Sequence, residues 1–100
     1  MYKDVEELGV EFNFQAKESY YSMYTRFSSA VQGLNREKDE NVFQQTRARF
    51  GNALKSELER LATAVLEKNR EMQEFEHIRR NLTIKINDYL QEFLMKSQSV

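Results

Sequence analysis

A carboxylate and an imidazole three residues apart, Glu74 and His77, are the pair in this chain best spaced to do chemistry. Glu-x-x-His puts both groups on one face of a helix, the arrangement by which di-iron bundles hold a shared pair of ions. Such a centre needs the motif on two helices and inward-pointing glutamates from two more, and here the motif occurs once. His77 also lies between Glu76 and Ile78, away from the main apolar periodicity, so it reads as a solvated surface histidine.

Other chemistries find even less footing. Ser19, Ser22, Ser28 and Ser29 line one predicted helix, but no base lies in helical reach of them. Cysteine is absent, which removes thiolate nucleophiles, zinc thiolate sites and disulfides. No glycine-rich phosphate loop or dinucleotide fingerprint occurs. The expectation is a non-enzymatic protein with no metal and no cofactor.

Charge gives no sign of a polyanionic partner. The chain carries 15 basic and 16 acidic residues, a net charge of −1. The best basic cluster, Arg47, Arg49, Lys55 and Arg60, is interrupted by Glu57 and Glu59. Mixed charge of this kind marks a solvated helix face with local ion pairs, each worth a few tenths of a kcal/mol. Neither nucleic acid nor a membrane is an expected partner, since both call for a basic excess. No apolar run reaches the roughly 18 residues of a membrane span, and no signal-peptide pattern opens the chain. With cysteine absent as well, a cytoplasmic protein is expected.

The elements that position these residues are helical. Proline is absent, glycine occurs only at Gly9, Gly33 and Gly51, and charged residues make up 31% of the 100 positions. That composition favours helix and denies a sheet its turns. One all-α domain is expected. The first helix spans about 4–32, with Asp4 and Glu7 forming a capping box. Val5, Leu8, Phe12, Ala16, Met23, Phe27, Ala30 and Leu34 fall on one of its sides. Gly33 is placed to end it in the left-handed conformation, and residues 33–38 form a polar turn. Asn35 or Asp39 then caps the next helix.

Beyond Asp39 an apolar seam runs through Phe43, Phe50, Leu54, Leu58, Leu61, Val65, Met72, Phe75, Leu82, Ile86, Tyr89 and Phe93. It keeps helical phase for about seven heptads. Arg47, Lys68 and Arg79 occupy seam-like positions, either fixing register or laying their stems over apolar surface. Between Phe50 and Leu61 the steps form a stutter, and Gly51 beside it suggests a bend or a close helix approach. The polar stretch 67–71 is the one candidate break, and the seam stays in phase across it. Phase therefore predicts one long helix over about 39–96, packed on the first as an antiparallel hairpin of unequal arms. A break near 67–71 instead gives a three-helix bundle.

Two sets of apolar residues exceed what such a hairpin needs. Val10, Phe14, Tyr21 and Tyr24 form a second stripe on the first helix, although a surface helix ordinarily shows one. Leu82 to Met95 spreads apolar residues over more than half the helix circumference, more than one neighbour covers. Val10, Phe14, Tyr21, Tyr24, Ile84, Leu90 and Leu94 are therefore the expected partner-binding residues. The expected partner is a second copy, giving a dimeric helical bundle, or another protein. The function this supports is an adaptor or assembly factor. Its rivals are a small helical chaperone shielding a client, and a helical dimer on a membrane or nucleic acid.

Overall fold

Three proline-free stretches of helix-favouring residues become three helices in the computed structural model: α1 (Val5–Val31), α2 (Glu40–Lys68) and α3 (Phe75–Ser97). The structure describes residues 5–100. The Asp4–Glu7 cap expected at the start of α1 lies outside them, as does the side chain of Val5. Gly9 lies beside Asn81 and Lys85, Tyr89 bonds to Asn13 and Tyr24 to Lys96, so α1 and α3 run parallel. Connected to both by short turns, α2 runs the other way. The result is an up-down-up three-helix bundle measuring 55 × 18 × 17 Å, with no strand among the described residues.

The core follows the predicted periodicity. Leu8, Phe12, Ala16 and Phe27 of α1, Phe43, Leu54, Leu58 and Leu61 of α2, and Leu82, Ile86 and Phe93 of α3 are all buried. Phe27 is the meeting point of all three helices. Its ring centroid lies 5.7 Å from that of Phe43, 5.9 Å from Phe50 and 5.6 Å from Phe93, each pair edge to face. Such pairs add about 0.5–1.5 kcal/mol each beyond simple burial.

Residues 39–96 are two helices rather than one, which corrects the expectation drawn from phase. Asn69 makes the break. Its side-chain Nδ2 donates to the Val65 carbonyl at 2.7 Å, the acceptor its own backbone N–H would use in a continuing helix. That N–H instead donates to Leu66 at 3.1 Å. This is the competition by which asparagine side chains disfavour helix interiors. Two further short-range bonds, Met72 N–H to Asn69 and Phe75 N–H to Met72, carry the chain round the turn. Met72 stays packed on the core from within the turn. The seam keeps phase because each helix must present its apolar face to the same core, and a turn of suitable length satisfies both.

Other local expectations also change. No glycine has a positive φ, so Gly33 is not a left-handed terminator. α1 ends through tight bonds from Gln32 to Ser29 and Leu34 to Val31, with Leu34 half-buried on the core. Asp39 occupies the cap position of α2 without a side-chain capping bond. Its carboxylate turns back to accept from the Asn35 N–H at 3.0 Å, while Asn35 Oδ1 accepts from the N–H groups of Glu37 and Lys38. In α3 the inward position of the first turn belongs to Ile78, fully enclosed, whereas Phe75 is only half-buried.

Two arginines fasten the end of α3. Arg47 donates to Ser97 Oγ at 2.8 Å and to the Leu94 carbonyl. Arg36 donates to Gln98 and Val100 oxygens at 3.2 Å, pairs with Glu40, and lies over the Phe43 ring at 3.7 Å. Both place positive charge where the helix has unpaired carbonyls and a negative dipole end. Lys68 is exposed, and Arg79 is exposed and paired with Glu76.

Phe27→Ala is expected to cost about 3–5 kcal/mol, because it opens the cavity where all three helices meet. Denaturant melts of the variant test this. Gly51→Ala is expected to stabilise by about 0.5–1 kcal/mol. A Cβ there meets the Phe93 ring at 3.6 Å, an ordinary contact, so nothing at Gly51 demands glycine.

Candidate protein-interaction surface

α1 devotes one side to the core and still has large apolar residues left over. At 100° per residue, Val10, Phe14 and Tyr21 lie within about 40° of one another on the side away from the core. They are 66%, 68% and 57% exposed. Phe14 is one turn from Val10 and two turns from Tyr21, so the three form one line along the helix rather than scattered surface apolars.

Tyr24, the fourth residue expected on this stripe, is turned about 60° back from Tyr21 toward α3. It stacks on Tyr20 at 6.1 Å, meets the Phe93 ring edge to face at 6.3 Å, and donates its hydroxyl to the Lys96 carbonyl at 3.4 Å. It is a half-buried part of the α1–α3 contact, so it drops out of the open stripe. The reason is α3 itself, which folds back alongside α1 and claims that edge.

The residues singled out on α3 separate as well. Both α1 and α2 pack on this helix, which covers most of its broad apolar arc without a second chain. Leu90 is half-buried against the core. With Phe93 and Leu94, which is 40% exposed, it lines a groove of about 250 Å³ against Ala48, Gly51, Asn52 and Lys55 of α2. Ile84, 60% exposed, faces elsewhere, on the same outer line of α3 as Met95 three turns later. The seven expected contact residues therefore make three separate features: the outer stripe of α1, the groove between α2 and α3, and the outer line of α3.

Tyr20 belonged to neither predicted stripe and is buried. The signal was present in its spacing, four residues after Ala16 and seven before Phe27. Its ring contacts Tyr21, Tyr24 and Tyr89, and its hydroxyl makes no hydrogen bond among the described residues. Ile78 carried a comparable signal, since Ile78, Leu82 and Ile86 step by four. Tyr89 differs from Tyr20 in donating to Asn13 Oδ1 at 2.6 Å. Burial, and secondarily the nearby Glu92 carboxylate, raise the pKa of both phenols above the ordinary 10.0.

Elsewhere the side chains with chemical potential are dispersed. His77 is exposed in the first turn of α3. No group of three or more metal-ligating side chains converges among the described residues. The basic cluster of α2 is partly occupied: Arg47 holds the end of α3, and Arg60 pairs with Glu57 at 2.6 Å. Among the described residues, no helix is long and apolar enough to cross a membrane. No protein-family model matches the chain, and comparison with curated proteins and with solved structures finds no match.

Tyr20→Phe is expected to leave stability unchanged or raise it by about 1 kcal/mol, because it removes a buried hydroxyl without a protein partner. Thermal melts of the two proteins decide this. The raised phenol pKa values also set an alkaline limit. The folded chain holds those two protons more tightly than the unfolded chain does. Their contribution is thus fully present below the unfolded value of about 10 and is lost as pH rises through the folded values. Circular dichroism across an alkaline titration is expected to show unfolding that the Tyr20→Phe/Tyr89→Phe pair moves to higher pH.

Proposed function

We propose that this protein is a non-enzymatic helical interaction module, an adaptor or assembly factor of the cytoplasm, that binds a protein partner through the outer stripe of α1. The observation that carries this reading is the set of three large apolar side chains, each more than half exposed, in line on a helix whose other side is already filled. Single exposed apolars are ordinary. A line of them containing two aromatics is what helix-in-groove and helix-on-helix recognition uses, because aromatic rings supply contact area at little entropic cost.

A second reading, chaperone-like shielding of a client helix, is favoured by the groove between α2 and α3. Leu90, Phe93 and Leu94 form its apolar wall, and Lys55 stands among its lining residues. A nucleic-acid or anionic-membrane surface would instead give binding that weakens steeply with salt. An apolar interface does not.

Photo-crosslinking tests the reading directly. A benzoylphenylalanine at Phe14 is expected to give one discrete adduct in the protein's own cells, and the same group at exposed Thr63 on α2 none. Tyr21→Glu is expected to abolish the adduct while leaving helix content within about 10% of the parent, since a surface change disturbs stability little. Ile78→Glu, a charge placed in the core, is expected to unfold the chain instead. An adduct that survives Tyr21→Glu, or none at Phe14, would discard the stripe as the binding surface.

A further inference from the structure

The turn between α2 and α3 is made of residues that favour helix, and from it we infer a second arrangement of the chain. In it the turn straightens, α2 and α3 become one helix, and two copies exchange their α3 helices. Neither the turn nor the exchange involves the outer stripe of α1. Arg70, Glu71, Met72, Gln73 and Glu74 include no glycine and no proline, and all are strong helix formers. The four polar ones are exposed and make no side-chain hydrogen bond among the described residues. No residue of the turn has a positive φ. Asn69 (φ −121°, ψ 24°) and Glu74 (φ −96°, ψ 18°), at its two ends, lie close to the helical region.

The apolar seam suits both arrangements. From Leu54 to Phe93 its steps alternate strictly between four and three, passing through Val65, Lys68, Met72 and Phe75 across the turn. That is the repeat of a continuous coiled-coil helix. Asn69 is the residue that opposes continuation, because its Nδ2 occupies the Val65 carbonyl at 2.7 Å. The connection between α1 and α2 is of another kind. There Asn35 Oδ1 accepts from the N–H groups of Glu37 and Lys38, Asp39 accepts from the Asn35 N–H, and Arg36 reaches the Gln98 and Val100 oxygens. Several side chains fix that turn, whereas one holds the α2–α3 turn, which makes the latter the hinge.

A single chain gains nothing by straightening, since α3 would leave its core. A second copy supplies the same core. With the hinges open, the long helices of the two copies run antiparallel about a two-fold axis at the turn. Each α3 then lies against α1 and α2 of the other copy as it lay against its own. The contacts of Phe93 with Phe27 and of Ser97 with Arg47 form between chains instead of within one. Such exchange of an identical element is a simple route to a dimer, because only the hinge changes.

Two substitutions at the hinge push in opposite directions. Asn69→Ala removes the competing side chain and raises helix propensity at both hinges of the dimer, and is expected to tighten dimerisation about tenfold over the parent. Gln73 is the second residue of a tight turn closed by the Phe75 N–H on the Met72 carbonyl at 3.1 Å, a position that accepts proline. Gln73→Pro therefore keeps the turn and breaks a continuous helix, and is expected to hold the chain monomeric even beside Asn69→Ala.

Sedimentation equilibrium on chains refolded from denaturant at high concentration measures association, with circular dichroism confirming the fold. Dyes on Gln45→Cys and Met95→Cys of one chain, diluted into excess unlabelled chain, report the exchange. Both positions are exposed at one end of the closed bundle, where Arg47 reaches Leu94, but stand about 75 Å apart along one continuous helix. The Asn69→Ala dimer is expected to lose the energy transfer that the monomer shows. A dimer that keeps it overturns the exchange, as does an Asn69→Ala chain that stays monomeric or a folded Gln73→Pro chain that still dimerises. The Asn69→Ala measurements decide alone where Gln73→Pro unfolds. A dimer that Tyr21→Glu dissociates belongs to the stripe of α1 and likewise overturns the exchange.

Discussion

The bundle depends on the ring of Phe27 more than on any other side chain. An antiparallel pair of helices needs only residues that face one neighbour, whereas a three-helix bundle needs positions that face two. Phe27 is such a position, edge-on to Phe43 and Phe50 from α2 and to Phe93 from α3. Phe93 in turn lies against Gly51, so the contact also brings α2 and α3 together. One aromatic cluster thereby sets the depth at which each helix sits. It also explains why aromatics concentrate on the inward faces of a chain too small to bury a large core.

The end of α3 is the second constraint, and it is electrostatic. The third helix of an up-down-up bundle finishes beside the turn that joins the first two. That turn and the start of α2 supply Arg36 and Arg47, whose guanidinium groups reach oxygens near the end of α3. Their stems and planes also cover apolar surface, as Arg36 does over Phe43. Arg47 explains why a basic residue can hold a seam-like position without weakening the seam. Its charge reaches the Leu94 carbonyl and the Ser97 hydroxyl in the last turn of α3, where carbonyls lack a following helical turn to pair with.

Helix type and the inward faces were legible in the sequence because both rest on periodicity, which needs no knowledge of the partner. Leu54, Leu58 and Leu61 are buried wherever α2 lies, since their spacing alone puts them on one face. The connection at 69–74 was not legible by that route. Phase across Val65 and Met72 is kept equally by a continuous helix and by a turn returning to the same core, so it cannot tell them apart. The local chemistry of Asn69 separates the two, through a side chain that takes the Val65 carbonyl. Once α3 folds back, the rest changes with it. Tyr24 acquires a neighbour, Leu90 gains a wall of α2, and the broad apolar arc of α3 becomes a face with two helices against it. Of the seven expected contact residues, Val10, Phe14 and Tyr21 on α1 and Ile84 on α3 stay more than half exposed in the folded bundle.

That exposure sets the outer stripe of α1 apart from the helix's inward face. A compact bundle has already found neighbours for Phe12, Tyr20, Phe27 and Tyr24 on α1. Had the chain needed Val10, Phe14 and Tyr21 for folding, the return of α3 offered apolar surface to cover them, and it lies along a different edge. Polar residues in their place would cost the fold little, because helix formation here is driven by the opposite face. Exposed aromatics, in contrast, carry a standing cost in solubility and invite association. Folding thus draws on one side of α1, and the association we propose would draw on the other.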